Sequence, residues 1–294
     1  MKKKIVIAGG TGFVGKYLAK RFNELGYEVN IISRQAGHTT WDKPSAIVAA
    51  LENSEMLINM AGRSVDCRYN EKNKKEIYDS RIKTTKILGE AVLQCKKPPV
   101  LWVNSSTATI YRHAEDRPMT ESAGDIGTGF SVNIATSWEK AFFGFKLQNT
   151  RQVALRMAIV LGKEGGVIKP LKNLVHFGFG GKQGKGRQMF SWIHIEDVFN
   201  IITYLQQHKE LAGVFNTSAP DPLNNKTLMQ LLRKNMKVRF GLPAPAWLLK
   251  MGAVIINTET ELVLKSRWVI PERLLQSGFK FKYQTMDDAL KSIL

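Results

Sequence analysis

The stretch Lys4-Ile5-Val6-Ile7-Ala8-Gly9-Gly10-Thr11-Gly12-Phe13-Val14-Gly15 constrains this chain more than any other. A short apolar run meets a burst of glycines. Phe13, Val14, Tyr17, Leu18, Phe22 and Leu25 then recur at helical spacing. Gly26 ends that helix, and Glu28-Val29-Asn30-Ile31-Ile32 reads as the next strand. The first 33 residues therefore spell a βαβ unit, which commits its two strands to a parallel sheet.

Further strands are expected near 56–60, 100–104 and 152–157, with helices over 71–96 and 131–148. Such alternation implies an α/β fold, a Rossmann-type doubly wound parallel sheet with helices on both faces. After Leu161 the run GKEGGVIKPLKNLVHFGFGGKQGKGRQ is glycine-rich and basic, and reads as an excursion over the carboxyl edge of the sheet. The expected organisation is a nucleotide-binding domain at 1–161, rejoined by 191–217. Residues 162–190 and 218–294 then build a smaller C-terminal lobe that covers a substrate.

The glycines carry the chemistry. Gly10, Gly12 and Gly15 fit G-x-G-x-x-G, while Gly9, Gly12 and Gly15 fit G-x-x-G-x-x-G. Glycines at these points allow a tight turn, close approach of backbone to a pyrophosphate, and close packing of helix on strand. The amides opening the helix then face the anion. Gly9, Thr11, Gly12, Phe13, Val14 and Gly15 are the expected phosphate-side residues. No Lys-Ser/Thr follows the last glycine, which argues against a nucleoside-triphosphate loop.

The end of the second strand selects the dinucleotide. An acidic residue there would bind a free ribose 2′-hydroxyl, and an arginine a 2′-phosphate. This chain has Ser33 and Arg34, and no Asp or Glu stands between Glu28 and Asp42. NADP is the expected cofactor.

Composition removes other classes. Lys plus Arg number 43 against 25 Asp plus Glu, giving a formal charge of +18 and a bias toward anionic partners. The positive charge is scattered with no dense tail, so nucleic acid is not expected. Cys67 and Cys95 stand far apart in no metal-ligand spacing, which suits a reducing compartment. The basic start is followed by too short an apolar run for a signal peptide or a membrane span, which needs about 20 apolar residues. A cytoplasmic protein with no membrane partner is the expectation.

The segments GGTGFVG, LINMAG and SSTATIY resemble the extended short-chain dehydrogenase/reductase superfamily, the group of nucleotide-sugar epimerases and dehydratases. LGKEGGVIKPL, GRQMFSWIHIEDV and RWVIPERLLQSGF resemble its atypical branch of epimerase family proteins with their own carboxyl-terminal domain. The resemblance covers the chain and implies an NADP-binding fold. It implies that Thr107 stands where a Ser/Thr hydrogen-bonds the reacting oxygen, with Ser105 nearby. It places Asn59, Ala61 and Gly62 along the adenine ribose, and Arg156, Ala158 and Ile159 near the nicotinamide.

The departure concerns catalysis. The superfamily uses Tyr-x-x-x-Lys, the Tyr exchanging the proton and the Lys lowering its pKa. If Glu139 takes the place of the glutamate four residues beyond that Lys, Ala135 replaces Lys and Ser131 replaces Tyr. Tyr111 is a candidate substitute, although packing suits it better. His113, Glu115 and Glu121 lie in a following loop where an acid or base could be recruited. His194 reads as a satisfied structural histidine on a strand.

The leading expectation is an NADP-dependent oxidoreductase or epimerase-like enzyme. Its substrate is small, with an anionic one met by Lys182, Lys185 and Arg187. The rival is a non-catalytic NADP-binding sensor, supported by the missing pair. Monomer and homodimer both stay open.

Overall fold

A computed structural model describes residues 2–245 and 265–294 of the protein. Residues 246–264 of the expected lobe lie outside the described residues. The first unit is β1 (Lys4–Ala8), α1 (Phe13–Glu24) and β2 (Glu28–Ile32), as the spacing predicts. Gly26, at φ +83°, takes the left-handed turn that lets Tyr27 N return to Phe22 O at 3.0 Å. There follow α2 (Pro44–Leu51), β3 (Met56–Asn59), α3 (Glu71–Gln94), β4 (Leu101–Thr107), α4 (Phe130–Phe143) and β5 (Arg151–Met157). Helix α4 stops five residues short of the predicted end, with Gly144 as its C-cap.

The main sheet has six strands, all parallel, in the order β10-β5-β4-β3-β1-β2, where β10 is Gly213–Thr217. Strand β2 lies on one side of β1 and β3 on the other. The order thus reverses between β1 and β3, and a crevice opens there at the carboxyl ends of the strands. Each face of the sheet has its own apolar layer. Ile5 and Ile7 pack with Leu18 and Phe22 of α1 and with Phe199 and Ile202 of α6 (Ile195–Gln207). Val6 and Ala8 point the other way, into Ile47 and Leu51 of α2, Leu88 and Val92 of α3, and Phe142 of α4. Alternate residues of one buried strand feed both layers, as a doubly wound sheet requires.

A further core gathers Leu161, α5 (Ile168–His176), α7 (Asn225–Asn235) and a carboxyl-terminal helix, α9 (Met286–Ile293). A small sheet, β7-β6-β9 (Gly165–Gly166, Ile159–Gly162, Trp192–His194), joins this core to β5, and the short strand β8 (Met189–Phe190) precedes β9. The tail is tied back at several points. Val269 N donates to Ser191 Oγ at 2.8 Å, and Ile270 N donates to Met119 O at 3.0 Å. In α8 (Glu272–Gln276), Arg273 donates to Val214 O on the edge strand β10 and lies over the Phe215 ring. Asp197, wholly buried, accepts from Lys282 N and Tyr283 N at 2.8 and 2.9 Å. No described helix is long and apolar enough to cross a membrane.

His194 is buried and ends the strand Trp192–His194, as the sequence predicts, and it is also the N-cap of α6. Its Nδ1 accepts from Glu196 N at 3.2 Å, and its Nε2 lies 3.3 Å from Ser292 Oγ. Burial pushes its pKa down to about 4. The unfolded chain takes up this proton near pH 6.5, the folded protein only near pH 4. The contribution is therefore whole above pH 6.5 and is lost as pH falls toward 4, by up to about 3 kcal/mol. Urea midpoints at pH 7 and pH 5 test this. His194→Asn keeps a capping acceptor, and its stability relative to the wild type should rise by about 2 kcal/mol over that interval.

Candidate functional site

The crevice between β1 and β3 is built from backbone. Gly9 sits at φ +78°, and a Cβ there would meet Ala61 N and Met60 C at 2.7 Å. The glycine turn is thus pressed against the turn after β3. A Cβ on Gly15 would drive into Gly9 O and stand 2.7 Å from Gly10 Cα. Gly12 differs, since a Cβ there meets only Gly9 O at 3.5 Å and otherwise opens onto space. Gly12 is also the N-cap of α1, without a side-chain cap, and the first helical bond runs from Lys16 N to Gly12 O. The amides of Phe13, Val14 and Gly15 precede that bond and point out of the helix end, where an anion is favoured.

Thr11 and Val14 are half-buried beside this turn. Phe13 is clamped, its ring lying 2.5 Å from where a Gly165 Cβ would stand and 2.9 Å from that of Gly162. At the end of β2, Ser33 is buried, and its Oγ accepts from Gln35 N at 3.0 Å. Arg34 is exposed and has no hydrogen bond or ion pair among the described residues.

On the other side of β1, Asn59 is wholly buried, and its side chain organises the turn that follows. Its Oδ1 accepts from Ala61 N at 3.0 Å, and its Nδ2 donates to Asn104 Oδ1 at 2.7 Å and to Thr85 Oγ1 at 3.2 Å. Ala61 and Gly62 are held in place by this network. At the end of β4, Ser105 is buried. Thr107 Oγ1 accepts from Thr109 N at 3.1 Å, which leaves its own hydrogen to donate.

Beyond β4 lies a network that no local pattern announces. Arg156 and Glu139 form a bidentate pair, Nε to Oε1 and Nη2 to Oε2, each 2.8 Å, with side chains only 12 and 13% exposed. Ser106 Oγ donates to Glu139 Oε1 at 2.6 Å, and Arg156 Nη1 donates to the Tyr111 hydroxyl at 2.9 Å. That hydroxyl in turn donates to Asn216 Oδ1, also at 2.9 Å. Tyr111 is 2% exposed, and desolvation raises its phenol pKa against the pull of Arg156. Its hydroxyl is an internal group, so the candidate substitute for the absent tyrosine does not face the crevice. Arg156 likewise spends its guanidinium on Glu139 and Tyr111. Ala135 is wholly buried in a cluster with Ala108, Tyr111 and Ala158.

Glu121 folds back to accept from Asn216 N at 2.7 Å. Its Oε2 is buried without a partner among the described residues, and desolvation raises its pKa. His113 Nδ1 accepts from Ser266 N, and Glu115 faces His113 and Arg187. These two hold the loop to its neighbours.

A small cleft opens beside the turn that follows Thr107. It is lined by Ile159, Gln188, Met189, Phe190, Asn225, Lys265 and Arg267. Lys265 Nζ donates to Thr109 O at 3.2 Å, and Arg267 Nε donates to Thr109 Oγ1 at 3.3 Å. Both cations therefore reach the turn that Thr107 caps. Ala158, 8% exposed, precedes Ile159 here. Lys182, Lys185 and Arg187 do not line this cleft. All three are exposed on the excursion. The cations of the cleft come from beyond position 264, not from the glycine-rich run that carries Lys182, Lys185 and Arg187.

Comparison with known proteins agrees with this architecture. The model of the NAD dependent epimerase/dehydratase family matches residues 5–129, and a domain of unknown function, DUF1731, matches residues 244–293. The human epimerase family protein SDR39U1 is 31% identical over 99% of both chains. Its crystal structure with NADPH superposes with a TM-score of 0.89, covering 99% of this chain and 98% of that one. The Bacillus subtilis epimerase family protein YfhF is 29% identical, over 99% of this chain and 97% of its own. A nucleoside-diphosphate sugar epimerase from Corynebacterium glutamicum, 25% identical, has a TM-score of 0.80 over the whole of this chain and 58% of its own. With its six-stranded parallel sheet, glycine turn and full-length likeness to these proteins, the chain belongs to the NAD dependent epimerase/dehydratase family.

Proposed function

We propose that this protein binds NADP in the β1–β3 crevice and acts on a small anionic molecule held in the cleft beside the turn that follows Thr107. One observation carries the cofactor reading. Gly12 opens onto space at an uncapped helix end, while its neighbours Gly9 and Gly15 are packed shut. Backbone amides there suit a pyrophosphate, and exposed Arg34 at the end of β2 suits a 2′-phosphate. The relative crystallised with NADPH supports the same choice. Bound there, the cofactor would supply hydride exchange with a carbon of the substrate.

This chain contributes a hydroxyl donor at Thr107 and two cations, Lys265 and Arg267, in the adjoining cleft. Those cations favour a carboxylate or phosphate on the substrate. On this reading 1–161 and 191–217 form the nucleotide-binding part, and the later segments cover the substrate. The second reading, an NADP-binding sensor without turnover, is favoured by buried Ala135 and by the internal Tyr111 hydroxyl.

Fluorescence titration with NADPH and NADH tests the proposal. NADPH should bind at least about tenfold more tightly, and Arg34→Ala should remove most of that preference, about 1–2 kcal/mol. Equal binding of both nucleotides by the wild type would refute the role given to Arg34. Turnover of carbonyl acids with NADPH would separate the enzyme from the sensor.

A further inference from the structure

Positive charge is concentrated in one part of this chain. Residues 165–195 hold five Lys or Arg and no Asp or Glu, and residues 222–245 repeat that balance. These two stretches carry more than half of the formal charge of +18. The fold brings them together. Leu242 N donates to Gly178 O at 2.7 Å, Gly181 N to Leu242 O at 3.0 Å, and Ala244 N to Lys182 O at 3.0 Å. A Cβ on Gly181 would stand 2.6 Å from Leu242 C, and one on Gly241 would stand 2.5 Å from Gly180 C, so backbone is pressed on backbone. The segment after α5 and the segment after α7 thus form one firm ledge.

The ledge also holds apolar side chains in water. Phe240, Phe177 and Leu242, at 85, 72 and 64% exposure, are the most exposed large apolar side chains among the described residues, and Phe179 adds a fourth at 36%. Scattered singly, such residues are ordinary surface, but four on two paired segments make a patch. The cations around them are free to act. Among the described residues only Arg187 and Lys234 of the ten pair with an acid, with Glu115 and Asp287. Lys182, Lys185 and Arg187, which do not line the cleft, belong to this group.

Apolar side chains among Lys and Arg match a bilayer with anionic headgroups. The rings enter the boundary between headgroups and acyl chains, and the cations meet the lipid phosphates. A second copy of this chain would set like charge against like. A nucleic acid would answer the cations and leave the apolar side chains in water.

We propose that the ledge of residues 177–187 and 239–244 docks this protein on the surface of an anionic lipid bilayer. A bilayer can be bound without being crossed, so the proposal departs from the expectation of no membrane partner although no described helix spans one. It stands independently of the dinucleotide reading. The ledge is tied to the cleft, because Gln183 N donates to Asn225 Oδ1 at 2.7 Å and Gln188 Nε2 donates to Gln183 O at 2.9 Å. Gln188 and Asn225 both line that cleft, so docking holds it near the lipid surface.

The test is cosedimentation of the full chain with two kinds of vesicle, phosphatidylcholine alone and one part phosphatidylglycerol to two parts phosphatidylcholine. Binding to the mixed vesicles should be at least about tenfold tighter than to phosphatidylcholine and should weaken as salt is raised. Phe177→Ser with Phe240→Ser should weaken binding to the mixed vesicles about tenfold or more. Lys182→Gln with Lys185→Gln should do the same. Lys96→Gln with Lys97→Gln removes equal charge just ahead of β4, and should change binding less than about twofold. All six positions are exposed, and far-UV circular dichroism confirms that each variant is folded. If the phenylalanine variant binds as the wild type does, or the two lysine variants lose equally, net charge alone draws the protein to lipid and the proposal falls. It falls equally if the wild type ignores the mixed vesicles, including the case in which it binds a single-stranded oligonucleotide instead.

Discussion

Gly15→Ala is expected to lower stability by about 3 kcal/mol, whereas Gly12→Ala should cost less than about 1 kcal/mol yet weaken NADPH binding about 100-fold or more. The two glycines are three residues apart in one turn, but their surroundings differ in kind. The Gly15 position is closed by backbone, with Gly9 O and Gly10 Cα inside contact distance of any Cβ, and backbone cannot step aside as a side chain can. The Gly12 position is ordinary in φ, at −79°, and its Cβ would clear the protein. What the methyl of Gly12→Ala would occupy is the space a pyrophosphate needs to reach the amides. Urea denaturation and NADPH titration on the same two variants read the two effects separately. A Gly12→Ala protein that binds NADPH normally would move the phosphate away from this turn.

Glu139→Ala should cost about 3–5 kcal/mol, because it strands the Arg156 guanidinium in a buried position. Ser106 Oγ loses its acceptor in the same change, and the Tyr111 hydroxyl loses a firmly placed donor. Replacing both charged partners, Glu139→Leu with Arg156→Met, should recover more than half of the loss, since no uncompensated charge then remains. Equilibrium urea unfolding of Glu139→Leu, Arg156→Met and the double variant closes the cycle. Additive losses in the double variant would show that the pair is not coupled.

Local pattern made the first βαβ unit legible. Its glycines, its apolar spacing and Gly26 each act within a few residues of the structure they determine. The long helix from Glu71 was legible for the same reason, although it gives out at Gln94, ahead of the predicted 96. Helix α2 left little signal: its eight residues are almost wholly apolar, so no polar face marks a period. His194 reads as a strand residue because WIHI alternates, and it does end β9; what no pattern shows is that its imidazole caps the helix beginning one residue later.

The site divides in the same way. Gly12, Gly15 and Arg34 are legible as candidates because they lie within one motif and at the end of the strand that follows it. Glu139 and Arg156 meet across 17 residues of sequence, and Tyr111 and Arg156 across 45, joined only by the parallel pairing of β4 with β5. Lys265 and Arg267 arrive from the far end of the chain, where no spacing rule could connect them to Thr109.

The clamp on Phe13 bears on how such chains diverge. The ring occupies volume that side chains at 162 and 165 would need, and Gly166 is bound by its own backbone angle as well. Position 13 and the hairpin therefore cannot drift separately. A lineage that gains a side chain at 162 or 165 must first accept a smaller residue at 13, and one that keeps the aromatic ring inherits the glycines with it. These sites, about 150 residues apart, form a single unit of inheritance. Through it, the nucleotide turn and the hairpin at the cleft are selected together.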